Sequence, residues 1–309
     1  MSNMTSSVIH AAPRLFPVVA ALAVVAAFAG APLGGPAMVA GACLAMLVLG
    51  LPHGSLDLEL IRSRRRSGTG DLFAVLALYL GCAAAMLALW RLDPVSALAL
   101  FILIATWHFA EDWEGADLPL LEWGGALALL SAPTLFNRAP LEAAFVALTG
   151  SSSGVVMADA LTLVAPVALL LAAVLLVLHW QAGRRGQAAG LGAAVVAMTA
   201  LPPVFGFALY FCLLHSPRHF SGALQTLSWP RVGQWAGVVA PLTLAALGLA
   251  AVIYRLELRP SISDQIVAAS FMTLAVVTVP HMLAPRLVGL IDVMVLRRRL
   301  GRTRTPLAV

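Results

Sequence analysis

The chain contains no lysine: all 19 residues counted as lysine plus arginine are arginine. Without a primary amine on a side chain it cannot form a Schiff base with retinal or pyridoxal phosphate, place a Walker-type lysine on a phosphate or build a Ser/Lys dyad. Charge of either sign is scarce, at 11% of 309 residues, whereas 61% are hydrophobic and the mean hydropathy is +0.94. Soluble domains carry about twice that charge, so the composition is that of an integral membrane protein. Cysteine is rare as well. Cys43, Cys82 and Cys212 stand far apart inside apolar runs, which suits helix packing and excludes a disulfide ladder or a C-x-x-C site. A net charge of +5 and a pI near 9.8 would suggest nucleic acid in a soluble protein. Here the arginines flank apolar runs, as topology signals and contacts with anionic lipid do, so the expected partner is the bilayer and not nucleic acid.

A helix needs about 20 apolar residues to cross the hydrocarbon core. Residues 15–56 contain no Asp, Glu or Arg, and the break at Pro32-Leu33-Gly34-Gly35-Pro36 divides them into a first pair of spans. The N-terminal run lacks a cationic leader and a clear cleavage site, so it reads as a retained helix. Further runs lie at about 72–90, 94–112, 118–136, 160–180, 233–254 and 264–284. The stretch 186–217 is also charge-free and is interrupted by Leu201-Pro202-Pro203. If that proline pair turns the chain, one side of the membrane holds Arg14, Arg62, Arg64, Arg65, Arg66, Arg184, Arg185, Arg231 and the tail arginines Arg297, Arg298, Arg299, Arg302 and Arg304. The other side then holds Arg91, Arg138, Arg255 and Arg259. The positive-inside rule selects this arrangement. The expected fold is an all-α, polytopic transmembrane helical bundle of about ten spans, within roughly eight to twelve. Residues 1–309 form one integral domain of the cell (inner) membrane, with both termini and an arginine-rich tail at 297–309 in the cytoplasm. Residues 285–296 read either as an interfacial helix or as part of another span. Sizeable loops are expected at 61–70 and 137–158, the second with a flexible connection at Ser151-Ser152-Ser153-Gly154.

Seven histidines occur. His10 lies in a polar N-terminal arm, and His179, next to Trp180 and near Arg184, reads as an interfacial ring. The other five, His53, His108, His215, His219 and His281, fall within or at the end of apolar helices, where ionisable groups are costly and tend to be functional. In the ten-helix arrangement all five lie near the cytoplasmic ends of helices running in one direction. His215 and His219 are four apart, a spacing that lets two imidazoles share a metal, with Pro217 distorting the turn between them. Neutral imidazole suits Fe, Zn, Cu and Ni alike. Asp57 follows His53 by four, and Glu111 and Asp112 follow His108 by three and four, so each carboxylate is expected to orient its histidine from outside the metal shell. Arg218 is expected to pair with one of the acids. A di-iron desaturase would need more histidine boxes than this chain has. A b-type haem remains open, and a proton-coupled transporter would be an odd use of so many histidines and so few acids. A mononuclear centre of four neutral histidines leaves positions free for dioxygen, which suits Fe(II).

Four motifs carry a family resemblance: Pro52-His53-Gly54-x-x-Asp57, Trp107-His108-Phe109-x-Glu111-Asp112, Leu214-His215-Ser216-x-Arg218-His219 and Pro280-His281-Met282. In order and spacing they resemble the Brp/Blh family, membrane β-carotene 15,15'-dioxygenases associated with microbial rhodopsins. The resemblance implies cleavage of β-carotene by O2 at the central double bond, giving two all-trans-retinal, on Fe(2+) held by His53, His108, His215 and His219. His281 then stands as an additional ligand or a nearby polar group. Trp107, Phe109, Trp113, Phe211, Phe220 and Met282 become candidate walls of a substrate tunnel. The alternative is a non-catalytic membrane protein that binds haem or assists rhodopsin assembly. Lysine bears on the partner too: the chain could release retinal but not hold it as a Schiff base, so a rhodopsin receiving it must be a different protein.

Overall fold

The computed structural model describes residues 2–64, 69–229 and 231–302, and among them the backbone is helical with connecting turns and no strand. In lipid each backbone N–H and C=O must find its partner inside the segment, and a helix does this unaided. Seven helical segments are long and apolar enough to cross a membrane: Ala11–Phe28, Pro36–Ser63, Phe73–Leu92, Pro94–Trp113, Ser152–Gln181, Val232–Leu256 and Ile262–Leu283. The protein is a multi-pass membrane protein.

In chain order the helices are α1 (Ser2–Phe28), α2 (Pro36–Ala45), α3 (Asp57–Arg64), α4 (Thr69–Leu92), α5 (Pro94–Ala110), α6 (Pro119–Ser131), α7 (Pro133–Phe136), α8 (Arg138–Thr149), α9 (Val155–Gln181), α10 (Arg185–Ala200), α11 (Pro203–Tyr210), α12 (Ser216–Leu227), α13 (Val232–Leu256) and α14 (Ile262–Arg302). Between α2 and α3 the chain winds through a π turn, Met46–Gly50, and a 3-10 turn, Leu51–Leu56; a second π turn, Phe211–His215, joins α11 to α12. These irregular turns hold the site.

The Leu201-Pro202-Pro203 break does turn the chain. Leu201 is extended, with φ −100° and ψ 157°. Gly206 then lies against Ala197, while Gly190 lies against Leu214 and Arg218, so α10 and the α11–α12 segment run antiparallel. At one end of the bundle Arg91 pairs with Glu257 at 3.1 Å. At the other, Gln187 donates to the Glu114 carbonyl at 3.0 Å and the Arg184 guanidinium faces Gly115.

Three expectations change. Residues 137–158 are not a loop: α8 fills their first half, too short and too charged to register as a span. Its Arg138 reaches Glu142 at 2.6 Å one turn on and Thr162 of α9 at 3.1 Å. Gly150 ends α8 in the left-handed region (φ +68°), and Arg259 donates to the carbonyls of Ala147 and Leu148 that the helix end leaves free. The Ser151-to-Gly154 segment is a 3-10 turn closed by the Ser151 hydroxyl accepting from the Ser153 amide at 3.2 Å, not a slack connection. Residues 285–296 do not form a helix of their own, because α14 runs unbroken to Arg302 and takes in the start of the expected tail. In the 61–70 segment α3 continues to Arg64 and α4 begins at Thr69. Arg65, Arg66 and Arg304, like the side chain of His10, lie outside the described residues.

α6 packs closely on α9 through Gly124, where a Cβ would come within 2.5 Å of the Leu171 Cβ. Gly124→Val is therefore expected to lower stability in detergent by about 1–3 kcal/mol through overpacking; an unchanged thermal midpoint would contradict this contact.

Candidate metal centre

Five imidazoles from four parts of the chain meet in one place. The ring centroids of His108, His215, His219 and His281 lie 5.7, 5.1, 6.0 and 5.2 Å from that of His53. His53 sits in the 3-10 turn, His108 in the last turn of α5, His215 at the end of the second π turn, His219 one turn into α12 and His281 on α14. His53, His108 and His215 are buried.

Three of the rings are oriented by their Nδ1 atoms. His53 Nδ1 meets the Gly50 carbonyl at 2.5 Å, His108 Nδ1 meets Glu111 Oε2 at 3.3 Å, and His215 Nδ1 meets Asp112 Oδ2 at 2.9 Å. A carbonyl or carboxylate accepts only from an N–H, so each neutral ring carries its proton on Nδ1 and presents a lone pair at Nε2. Those three lone pairs converge: His215 Nε2 is 3.0 Å from His108 Nε2, which is 3.5 Å from His53 Nε2. Lone pairs this close repel one another, and a shared cation relieves them. The spacing also suits one ion, since ligands bonded at about 2.1 Å in adjacent positions stand roughly 3.0–3.4 Å apart. A haem needs its two axial imidazoles on opposite faces of a flat ring, and these separations leave no slot for one.

His219 completes a second face, with its Nε2 3.3 Å from Asp112 Oδ1 and its ring 4.5 Å from that of His215. Trios of ligand atoms close enough for one ion form from His53, His108 and His215, from His108, Glu111 and His219, and from Asp112, His215 and His219. His281 stands beside them, its ring 4.9 Å from that of His108 and its Nδ1 held by Asp57 Oδ2 at 2.7 Å.

The carboxylates differ from the sequence reading in a way that local geometry explains. In an α-helix Asp57 would share a face with His53, but the intervening 3-10 turn has three residues per turn and rotates a residue four positions on by about 120°. Asp57 therefore faces His281 and accepts from the Tyr79 hydroxyl at 3.4 Å, leaving His53 to the Gly50 carbonyl. The 3-10 turn Glu111–Trp113 acts likewise: Glu111 stays with His108, and Asp112 swings to His215 and to the Tyr210 hydroxyl. Arg218 pairs with no acid among the described residues. It donates to the Asp112 main-chain carbonyl at 3.3 Å and lies over the Trp113 ring at 5.5 Å. His179, in the last turn of α9, does not face outward: it is fully buried, with Nδ1 accepting from Arg184 Nε at 3.1 Å.

Of the aromatic candidates, Phe109 and Phe211 touch the cluster, with ring centroids 4.9 and 5.4 Å from His215. Trp107 lies under Arg286 at 4.1 Å, and that arginine also pairs with Glu111 at 2.8 Å. Trp113 packs against Tyr210, and Met282 is buried in the main core. Phe220 faces the other way, against Trp235 at 5.2 Å in a separate apolar cluster with Leu56 and Val239. Sequence reasoning passed over Tyr79, Tyr210, Gly50, Ser216 and Arg286.

One cavity is lined by the cluster, a second touches its edge at Asp57, and a third is set apart from it by Phe207 and Phe211. A polar one of about 480 Å³ is lined by His53, Asp57, Glu111, Asp112, Arg218, His219 and His281 among others. An apolar one of about 230 Å³ runs between α4, α13 and α14 and ends at Gly54, Ser55 and Asp57. A third, of about 80 Å³ and wholly apolar in lining, lies behind Phe207, which stacks on Phe211 at 5.6 Å.

The family described as beta-carotene 15,15'-dioxygenase matches residues 44–288, a stretch that contains all five clustered histidines. The chain belongs to the beta-carotene 15,15'-dioxygenase family. It is 28% identical over 256 residues to a protein named beta-carotene 15,15'-dioxygenase from uncultured marine bacterium 66A03, covering 78% of this chain and 90% of the relative. It is also 28% identical over 304 residues to the probable beta-carotene 15,15'-dioxygenase Blh of Halobacterium salinarum, covering 84% of this chain and 87% of that one. No solved structure matches the chain. Within this family member the centre depends on close packing of the two π turns. A Cβ on Gly50 would collide with the Phe211 ring, and the Ser216 hydroxyl donates to the Gly50 carbonyl at 2.8 Å. Gly50→Ala must displace the Phe211 ring, which packs against His53 and His215. It is expected to cost about 1–3 kcal/mol of stability and to lower metal retention; a variant with wild-type thermal midpoint and metal content would contradict this packing.

Proposed function

We propose that the chain cleaves β-carotene with O2 at the central 15,15' double bond, releasing two all-trans-retinal, with Fe(2+) as cofactor. The observation that carries the reading is the convergence of three neutral imidazole lone pairs, from His53, His108 and His215, in the interior of an apolar helical bundle. The family membership and the names of the relatives supply the substrate.

His53, His108 and His215 would hold the iron, with His219 as the fourth ligand and His281 beside it. Fe(II) supplies the electrons that allow dioxygen to react with a closed-shell alkene. The residues of the chain provide geometry and exclusion of water. Gly50, Glu111 and Asp112 fix which nitrogen of each ring is free, so no ring needs to turn or lose a proton when the ion binds. Phe109 and Phe211 press against the imidazoles from the apolar side and keep water from that face. The cavity ending at Gly54 and the one behind Phe207 would take the two ends of an extended polyene. A centre near one end of the helices reaches the middle of a long substrate if the substrate lies aslant instead of along the membrane normal. The overall change breaks one carbon–carbon double bond and gives one oxygen atom to each carbon, with no net proton taken or released. The site accordingly needs positioned ligands more than a general acid or base.

The same reading places the chain in the cell membrane as a single integral domain of about ten crossings with both termini in the cytoplasm, on the arginine distribution, and names a separate rhodopsin as recipient of the retinal.

Expression in a carotene-producing bacterium tests the activity. Wild-type protein is expected to bleach the orange cells and to yield retinal, and under 18O2 each retinal should carry one labelled oxygen. Alanine at His53, His108, His215 or His219 is expected to keep the cells orange, whereas His10→Ala should bleach like wild type. Orange cells with abundant wild-type protein and no retinal in the extract would defeat the proposal.

A further inference from the structure

The chain has three tyrosines, and two of them rest their hydroxyls on the two aspartates that orient histidines of the cluster. Tyr79 meets Asp57, the partner of His281; Tyr210 meets Asp112, the partner of His215. With so few tyrosines in 309 residues, this doubled Tyr–Asp–His arrangement is a feature of the site and not of composition.

The Tyr210 arm is the better formed. Asp112 is buried, and its Oδ2 atom accepts from both His215 Nδ1 and the Tyr210 hydroxyl. A carboxylate buried this deeply needs donors from the protein, and where they sit decides how it lies. Tyr210 is itself fully buried, its ring edge-on to Phe109 at 5.2 Å and stacked on Trp113 at 6.4 Å, so its hydroxyl cannot swing away. The backbone explains how it arrives there. In an α-helix, residues five apart point about 140° away from each other. The π turn Phe211–His215 widens the helix to i→i+5 bonding, which brings Tyr210 and His215 onto one side with ring centroids 6.0 Å apart. Both side chains then reach the same carboxylate oxygen.

We infer that Tyr210 is a positioning residue of the metal centre: its hydroxyl fixes Asp112 Oδ2, and through it the angle and tautomer of the His215 ring. This rests on the reading of the cluster as an iron site. Nothing in the family motifs points to Tyr210, which lies outside the Leu214-to-His219 segment.

The test compares wild type with Tyr210→Phe, which keeps the ring and removes the hydroxyl, and with Tyr254→Phe, the third tyrosine, on α13. Each is purified in detergent, loaded anaerobically with Fe(II), titrated with a chromogenic chelator and, in parallel, treated with nitric oxide for electron paramagnetic resonance of the iron–nitrosyl adduct. Tyr210→Phe is expected to hold Fe(II) on the order of 10-fold more weakly or worse and to give an adduct signal of altered rhombicity, with wild-type elution on size exclusion. Tyr254→Phe should match wild type in both readouts. Wild-type affinity and an unchanged signal in Tyr210→Phe would overturn the inference while leaving the iron reading intact. Wild-type protein that takes up no iron would overturn both. If Tyr210→Phe does not fold, 3-fluorotyrosine at position 210 retains the shape and sharpens the donor. Its adduct signal is expected to shift from wild type, and an identical signal would overturn the inference.

Discussion

A polar group in hydrocarbon must be hydrogen-bonded by the protein, because neither water nor lipid will do it. Everything at this site follows from that demand. Five imidazoles and three carboxylates near the ends of apolar helices would be untenable singly. Together they satisfy one another: Asp112 serves His215, His219 and Tyr210, Asp57 serves His281 and Tyr79, and Glu111 divides its two oxygens between His108 and Arg286. These bonds leave one set of Nε2 lone pairs, from His53, His108 and His215, turned toward one another. That set offers a place for a cation.

Regular α-helices could not have built this network. The residues that must cooperate, Gly50 with His53, Tyr210 with His215, and Asp112 away from His108, fall at spacings that an α-helix would aim wrongly. Two π turns and two 3-10 turns alter the angular step where it matters. At the end of the first π turn the Gly50 carbonyl accepts from both His53 Nδ1 and the Ser216 hydroxyl, so one backbone irregularity places the acceptor and the opposite helix supplies a clasp. Irregular helical turns cluster at functional sites for this reason.

Much of this was legible in the sequence. Hydropathy and arginine placement yielded an all-helical membrane bundle, and a reversal at Pro202-Pro203 that the structure contains. Reading His53, His108, His215, His219 and His281 as one cluster, from their common depth, also agrees with the structure. The failures share a cause. Asp57 and Asp112 were assigned to the nearest histidine on α-helical periodicity, and 3-10 turns redirected both. α8 was read as loop because twelve residues containing Arg138, Pro140 and Glu142 carry no span signal. Arg218 was expected to seek an acid, whereas a carbonyl and the face of Trp113 content it. Sequence spacing reports which residues share a region; the local helix type decides which of them touch.

Asp57 lines both the polar cavity of about 480 Å³ and the apolar one of about 230 Å³. At that point the boundary between a polar and an apolar cavity is one side chain thick. A charged species suits one side of that wall and a long hydrocarbon the other, and neither would normally enter the other's surroundings. The fold therefore offers a fixed interface between two media, at which reagents of opposite solubility could meet without either being carried through the wrong one.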